Sequence, residues 1–248
     1  MTTRAVLFDL GNTLLEYSLA GHWREFLVQR LEELYPLVCE LASPISLSPT
    51  QFAATVGEII GGKEAQAIER NGHSWHFAER LRNGLTAVGL STGDPLLDWL
   101  TDAFYKPIRE CTAPYPDTHE ALETLRSQGM QLAIVTNSPW DTPARLLRGD
   151  LERWDLDGFF DAFLCSGELP WRKPNPAFML AAAEALRVPP QECLVVGDML
   201  EVDIAGAIAA GMRSIWVNRE DATAAPEGLQ PDWTMQSLAE ITEALRKQ

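Results

Sequence analysis

The sequence predicts an α/β fold, a doubly wound parallel sheet with an all-helical insertion after its first strand. Three observations carry this expectation. The short apolar runs Ala5-Val6-Leu7-Phe8, Leu132-Ala133-Ile134-Val135 and Cys193-Leu194-Val195-Val196 each stop at a polar or glycine-containing turn, as strands buried on both faces do. From Tyr115 onward such runs alternate with helical patterns, the order that right-handed crossovers weave into a parallel sheet. Before Tyr115, residues 17–113 carry helical periodicity and no convincing strand.

Taken in order, the first strand is 5–8, and helical segments follow from Trp23 to Leu41, Ala65 to Val88 and Leu96 to Ile108. Between the first two of these, Ser48 is an N-cap, Pro49 suits the first helical position and Gln51 completes a capping box. Phe52, Val56, Ile59 and Ile60 form the apolar stripe of that helix, and Gly61-Gly62 ends it. After Tyr115, Asp117 and Glu120 form a capping pattern ahead of Leu122 and Leu125, with Gly129 as the stop. Strand 131–136, a helix with Leu146 and Leu147, and strand 162–165 come next. Asn175-Pro176 opens an alanine-rich helix that ends near Arg187, strand 193–197 follows, a helix runs from Asp203 to Gly211, and 214–217 is a further strand. The expected division is a core of 1–16 and 114–248 with a helical domain at 17–113.

Composition excludes several classes of function. A hydrophobic fraction of 46% in 248 residues supports a sizeable core and argues against disorder. The net charge of −15 opposes binding to nucleic acid, which needs clustered Lys and Arg, and leaves no polybasic membrane patch. No apolar stretch reaches spanning length, and no basic, apolar-cored leader precedes Asp9. Cys39, Cys111, Cys165 and Cys193 show no CxxC spacing, and the last two read as buried free thiols within strands. A cytoplasmic protein is expected; the sequence leaves monomer and homodimer open.

Ligands of open α/β sheets bind beyond the carboxyl ends of the strands. Asp9, Thr136 and Asp198 therefore meet at one sheet edge, in an active-site layout. Asp9-Leu10-Gly11-Asn12-Thr13 resembles the nucleophile motif of the haloacid dehalogenase superfamily, whose phosphatases read Asp-x-Asp-x-Thr. Thr136-Asn137 is similar to the second motif, Lys173 within Arg172-Lys173-Pro174 to the third, and Gly197-Asp198 with Asp203 to the fourth. All occur in the family's order across most of the chain. The resemblance implies a Rossmann-like core under a helical cap.

It also implies an Asp9 nucleophile that forms an aspartyl-phosphate, dividing a difficult hydrolysis into two easier steps. Asp9, Asp198 and Asp203 converge if the strands align, and three close carboxylates repel, so that several would be forced to protonate unless a cation sat among them. Oxygen donors of this kind suit Mg²⁺. Following the family, Asp9, Asp198 and the Gly11 carbonyl are its ligands, with Asp203 and Thr13 behind them. Thr136 and Asn137 hold phosphate oxygens, and Lys173 neutralises the nucleophile and the phosphoryl charge. The expected partner is a small phosphorylated molecule.

Gly11 departs from the family pattern. The aspartate usually found there protonates the departing alcohol and then activates water, help worth roughly 10²–10⁴-fold in rate. The resemblance therefore leaves several outcomes. One is a slow phosphatase, or one whose leaving groups need no proton, such as acyl phosphates or phenolic esters. Others are a metal-independent 2-haloacid dehalogenase, against which Gly197-Asp198 counts, and a phosphonate hydrolase using Lys63 or Lys106. The last is a non-catalytic binding protein on the same scaffold.

Other features carry less. Gly57, Gly62 and Lys63 approach a P-loop spacing, but Glu64 replaces the required hydroxyl residue; a cap loop reaching towards substrate is the milder reading. His73 and His76 are spaced to share a helix face, without a further metal ligand nearby. Trp140 and Trp171 lie close in sequence to Asn137 and Lys173, as leaving-group pocket or as ordinary packing.

Overall fold

The computed structural model describes residues 3–17, 22–41, 46–219 and 226–246. The chain enters through β1 (Ala5–Phe8) and a short β2 (Leu15–Tyr17), then builds the helices α1 (Trp23–Leu41), α2 (Pro49–Gly61), α3 (Lys63–Arg70), α4 (Phe77–Ala87) and α5 (Asp94–Glu110). It returns through β3 (Thr112–Pro114) and alternates thereafter: α6 (Thr118–Ser127), β4 (Gln131–Thr136), α7 (Ala144–Arg153), β5 (Ala162–Cys165), α8 (Pro176–Leu186), β6 (Cys193–Gly197), α9 (Ala205–Ala209), β7 (Arg213–Val217), β8 (Trp233–Met235) and α10 (Ile241–Arg246).

Within the described residues the main sheet has six strands in the order β5-β4-β1-β6-β7-β8, parallel at every pairing. β1 lies at its centre because all four of its residues are apolar and fully buried. Its side chains alternate between faces. Val6 and Phe8 pack into the core that continues under the helical lobe, whereas Ala5 and Leu7 pack with Phe178, Met179 and Ala182 of α8. Burying a large apolar side chain in this way stabilises the fold by roughly 1.5–3 kcal/mol.

Register positions the site. Phe8 sits level with Ile134 on one side and Val196 on the other, so the residues just past the end of β1 lie beside Thr136 and Gly197. The Asp9 amide continues the ladder by donating to the Val196 carbonyl at 2.9 Å.

The capping box at Ser48 and Gln51 is formed, and Gly62 closes α2, but Ile59 is only half-buried while Ala53 and Gly57 take the inner face. Three expectations need correction. The segment from Ala65 to Val88 is two helices, because Gly72 takes φ 72° and the break docks on the core: Ser74 donates to Pro170 O and Arg172 N to Gly72 O, both at 3.1 Å. His73 and His76 thus lie between helices and share no helix face. Asp117 begins α6 without capping it, since its carboxylate accepts instead from Arg219, Ser237 Oγ and Leu238 N. Finally, β2 and β3 form a two-stranded antiparallel pair at the two ends of the stretch expected to contain helices alone. Cys165 and Cys193 are buried free thiols, as expected. No helix among the described residues is long and apolar enough to cross a membrane.

Candidate active site

At the carboxyl ends of β1, β4 and β6, a cavity of about 360 Å³ opens towards the helical lobe. Asp9, Gly11, Thr136, Asn137, Lys173, Asp198 and Asp203 all line it. Thr13 stands behind and donates to Asp9 Oδ2 at 3.5 Å.

Lys173 organises the acidic side of the cavity. It is only 2% exposed, and its Nζ donates to Asp9 Oδ1 at 2.5 Å and to Asp203 Oδ1 at 2.6 Å. Asn137 positions it through the backbone: the amide nitrogen of the side chain donates to Lys173 O at 3.0 Å and its oxygen accepts from Lys173 N at 2.9 Å. Asp203 is delivered by a wide π turn over Leu200–Ile204, a local loosening common at functional sites. Its second oxygen accepts from Met199 N at 3.0 Å, so Asp203 holds both the lysine and the backbone beside Asp198.

Close packing of carboxylates leaves its electrostatic mark. Burial raises Asp9 to a pKa of about 6; Lys173 opposes the rise and Asp203 adds to it. Asp198 is raised to about 8 by burial first, then by the charges of Asp9 and Asp203. Burial alone pulls Lys173 down, but Asp203 and Asp9 outweigh it and push the ammonium above its ordinary value. One lysine therefore neutralises only part of the acidic charge.

Oxygens of Asp9, Asp198 and Asp203 lie within 4.8 Å of one another. An all-oxygen donor set with partly uncompensated negative charge suits a hard divalent cation such as Mg²⁺. Asp203 has its oxygens engaged by Lys173 and Met199 N, and Asp9 has one held by Lys173 and the other 3.5 Å from the Thr13 hydroxyl. With a buried lysine on the other flank, the arrangement is chemically suited to hold an anionic group against the Asp9 carboxylate.

Two glycines shape the site. A Cβ on Gly197 would stand 2.3 Å from Asp203 Cγ, so only glycine lets Asp203 lie across the end of β6. At Gly11 a Cβ would meet Cδ2 and Cε2 of Tyr17 at 3.2 Å. The Tyr17 ring occupies the room beside the nucleophile loop.

The lobe closes over the site through a buried ion cluster. Arg80 of α4 and Asp141 of the core are both fully buried and paired at 3.0 Å. Asp141 also accepts from Trp75 N at 2.9 Å and pairs with Arg172 at 3.2 Å. Glu69 joins the same two arginines, at 2.8 Å to Arg80 and 3.2 Å to Arg172. Trp140 and Asp141 both adopt positive φ, a conformation costing of order 1–3 kcal/mol per residue that persists where its surroundings hold it; here the Asp141 bonds hold it.

Of the features weighed in the sequence, Trp140 lines the cavity, whereas Lys63, Lys106, His73, His76 and Trp171 are not among the described residues that do. Lys106 is exposed and paired with Glu110. Sequence reasoning missed Tyr17, Trp23, Glu69, Arg172 and Asp141. Arg172 had a signal, its place next to Lys173; Tyr17, Trp23 and Glu69 had none, because the lobe's fold alone brings them to the sheet edge.

A haloacid dehalogenase-like hydrolase profile matches residues 3–211. The chain is 28% identical to the glyceraldehyde 3-phosphate phosphatase of Methanopyrus kandleri, over 98% of this chain and 97% of that protein. It is 30% identical to the ribulose-1,5-bisphosphate 5-phosphatase of Halopiger xanaduensis, over 96% and 98%. Among solved structures, a HAD phosphatase from Thermococcus onnurineus matches with a TM-score of 0.64 at 27% identity, covering 99% of this chain and 98% of that one. A 2-haloacid dehalogenase from Pseudomonas syringae matches in fold, with a TM-score of 0.69 at 23% identity, covering 100% and 99%.

Proposed function

The chain belongs to the haloacid dehalogenase-like hydrolases, and from that premise we propose that it is a Mg²⁺-dependent phosphohydrolase of small phosphorylated molecules. The observation that carries the reading is the buried lysine bridging Asp9 and Asp203, with Asp198 close enough to share a cation with them. Relatives with full-length coverage are a glyceraldehyde 3-phosphate phosphatase and a ribulose-1,5-bisphosphate 5-phosphatase, which supports phosphorus as the electrophile.

In this reading Asp9 attacks phosphorus and carries the phosphoryl group as an aspartyl-phosphate. Lys173 holds the Asp9 carboxylate in place and offsets charge on the transferring group. Thr136 and Asn137 present polar groups to the phosphoryl oxygens. Asp203 acts as a positioning residue, holding the ammonium of Lys173 and the amide of Met199. Asp9, Asp198 and the Gly11 carbonyl would hold Mg²⁺, which when bound supplies charge neutralisation for the phosphoryl group. The helices between residues 17 and 113 serve as the cap that selects the substrate.

Dehalogenation of a 2-halo acid is the second reading, favoured by Gly11 because a departing halide needs no proton. Gly197-Asp198 counts against it, because the fourth motif of the dehalogenase branch usually lacks this pair. A panel of phosphate esters with and without Mg²⁺, with a 2-haloacid alongside, separates the two. Phosphate release that requires Mg²⁺ and vanishes in Asp9→Asn is expected; halide release in excess chelator, with no phosphate release, overturns the proposal.

A further inference from the structure

We infer that the preferred substrate is an aryl phosphomonoester, a phosphate carried on a planar aromatic hydroxyl. This rests on the phosphohydrolase reading and names its substrate class. The first support is the state of the proton donors. The room beside Gly11 where an acid would stand is filled by the Tyr17 ring. The Tyr17 hydroxyl is engaged with Tyr105, whose own hydroxyl donates to Asp150 at 2.6 Å. Glu69, at the lobe side of the cavity, is shared between Arg80 and Arg172. Asp203 is held by Lys173 and Met199 N. With Asp198 given to Mg²⁺ in the phosphohydrolase reading, the leaving group then departs as an anion. A phenol, with a pKa of about 10, does so far more readily than an alcohol whose acidity is nearer that of water, about 15.7.

The second support is the wall of the cavity, and it separates aryl from acyl phosphates. Tyr17, Trp23 and Trp140 all line the chamber that contains Asp9. Trp23 and Trp140 meet edge to face with centroids 5.6 Å apart, and Tyr17 and Trp23 lie 6.2 Å apart. Phe26 stacks on Trp140 from behind, at 6.2 Å and 14°, so the wall is braced. Aromatic faces and edges set in this way favour a planar ring; a small acyl group would leave them uncovered.

The chemistry balances without a donor. Asp9 attacks phosphorus, the bond from phosphorus to the aryl oxygen breaks, and its electron pair leaves on the aryl oxide. Water then attacks the same phosphorus, the bond to Asp9 breaks, and its pair returns to the carboxylate. The proton that water loses passes to solvent, and the released aryl oxide takes one from solvent.

The test compares phenyl phosphate, acetyl phosphate and glycerol 3-phosphate in Mg²⁺, with phenylphosphonate and methylphosphonate as inhibitors. Phenyl phosphate is expected to exceed glycerol 3-phosphate in kcat/KM by about 10²-fold or more, the scale of the missing acid. Phenylphosphonate should inhibit more tightly than methylphosphonate. Trp23→Ala should reduce the phenyl-over-acetyl preference several-fold, and Trp23→Phe should restore it. Equal rates on phenyl and glycerol phosphates, or equal inhibition by the two phosphonates in the unaltered protein, overturn the inference while leaving the phosphohydrolase standing. No turnover of any of the three phosphates overturns the phosphohydrolase itself.

Discussion

The ring of Tyr17 lies against Gly11, with two of its carbons 3.2 Å from the point where a side chain at position 11 would begin. Gly11 does not need glycine's backbone freedom, since its φ lies outside the left-handed region. Its smallness instead accommodates a tyrosine.

The pair predicts a dependence between two substitutions. Gly11→Asp alone should raise hydrolysis of alkyl phosphates only modestly, because the new carboxyl has to displace the ring by a few tenths of an ångström. Combined with Tyr17→Leu, the gain should approach part of the roughly 10²–10⁴-fold range of general acid catalysis. Initial rates on glycerol 3-phosphate in the single and double variants decide it. Equal rates in all of them would mean that the proton comes from elsewhere.

An enzyme without an acid at position 11 also lacks the base that activates water for the second step. The aspartyl-phosphate should therefore accumulate. Rapid mixing with 4-nitrophenyl phosphate is expected to give a burst of nitrophenol stoichiometric with enzyme, followed by slower turnover. Linear release from the first turnover would show that breakdown of the intermediate is not limiting.

Metal binding should strengthen as pH rises. Without metal, Asp9 and Asp198 have pKa values raised to about 6 and about 8, so the folded protein holds protons that the unfolded chain has already released at lower pH. The metal-free fold thus loses stability as pH climbs from about 4 through 8. A cation must displace those protons at low pH and need not at high pH. A fixed Mg²⁺ concentration should accordingly raise Tm more at pH 8 than at pH 5.5, as thermal denaturation would record. An equal rise at both values would place the bound ion away from these carboxylates.

Asp141→Ala removes a partner of the fully buried Arg80. Breaking a buried pair from one side costs about 3–5 kcal/mol, here reduced to the extent that Glu69 keeps hold of Arg80. Denaturant unfolding should show the loss. A change below about 0.5 kcal/mol, the range of an ordinary surface substitution, would mean that the cluster does not fasten the lobe.

Much of the core was legible because its signals are local. Val6, Phe8, Ile134 and Val196 sit in runs too apolar for anything but a two-sided burial, and Ser48 with Gln51 spells out a helix start. The residues at the ends of those runs, Asp9, Thr136 and Asp198, followed once parallel register was assumed. The three-residue strands β2, β3 and β8 were not legible, since they are too short for periodicity to register. Nor was the break at Gly72, which depends on hydrogen bonds to Pro170 and Arg172 some hundred residues away. Arg80 shows the limit most plainly. A charged residue in an amphipathic helix reads as solvent-facing, yet here it is fully buried, because its partners Asp141 and Glu69 arrive from other parts of the chain.

The hydrogen bond from Arg172 N to Gly72 O joins the lobe to the core one residue before Lys173, and Asn137 grips the backbone of Lys173 itself. A displacement of the lobe at Gly72 would pull on the same stretch of backbone that Asn137 holds. The place of the lobe and the place of the Lys173 ammonium beside Asp9 are therefore set through one short stretch of backbone, residues 172 and 173.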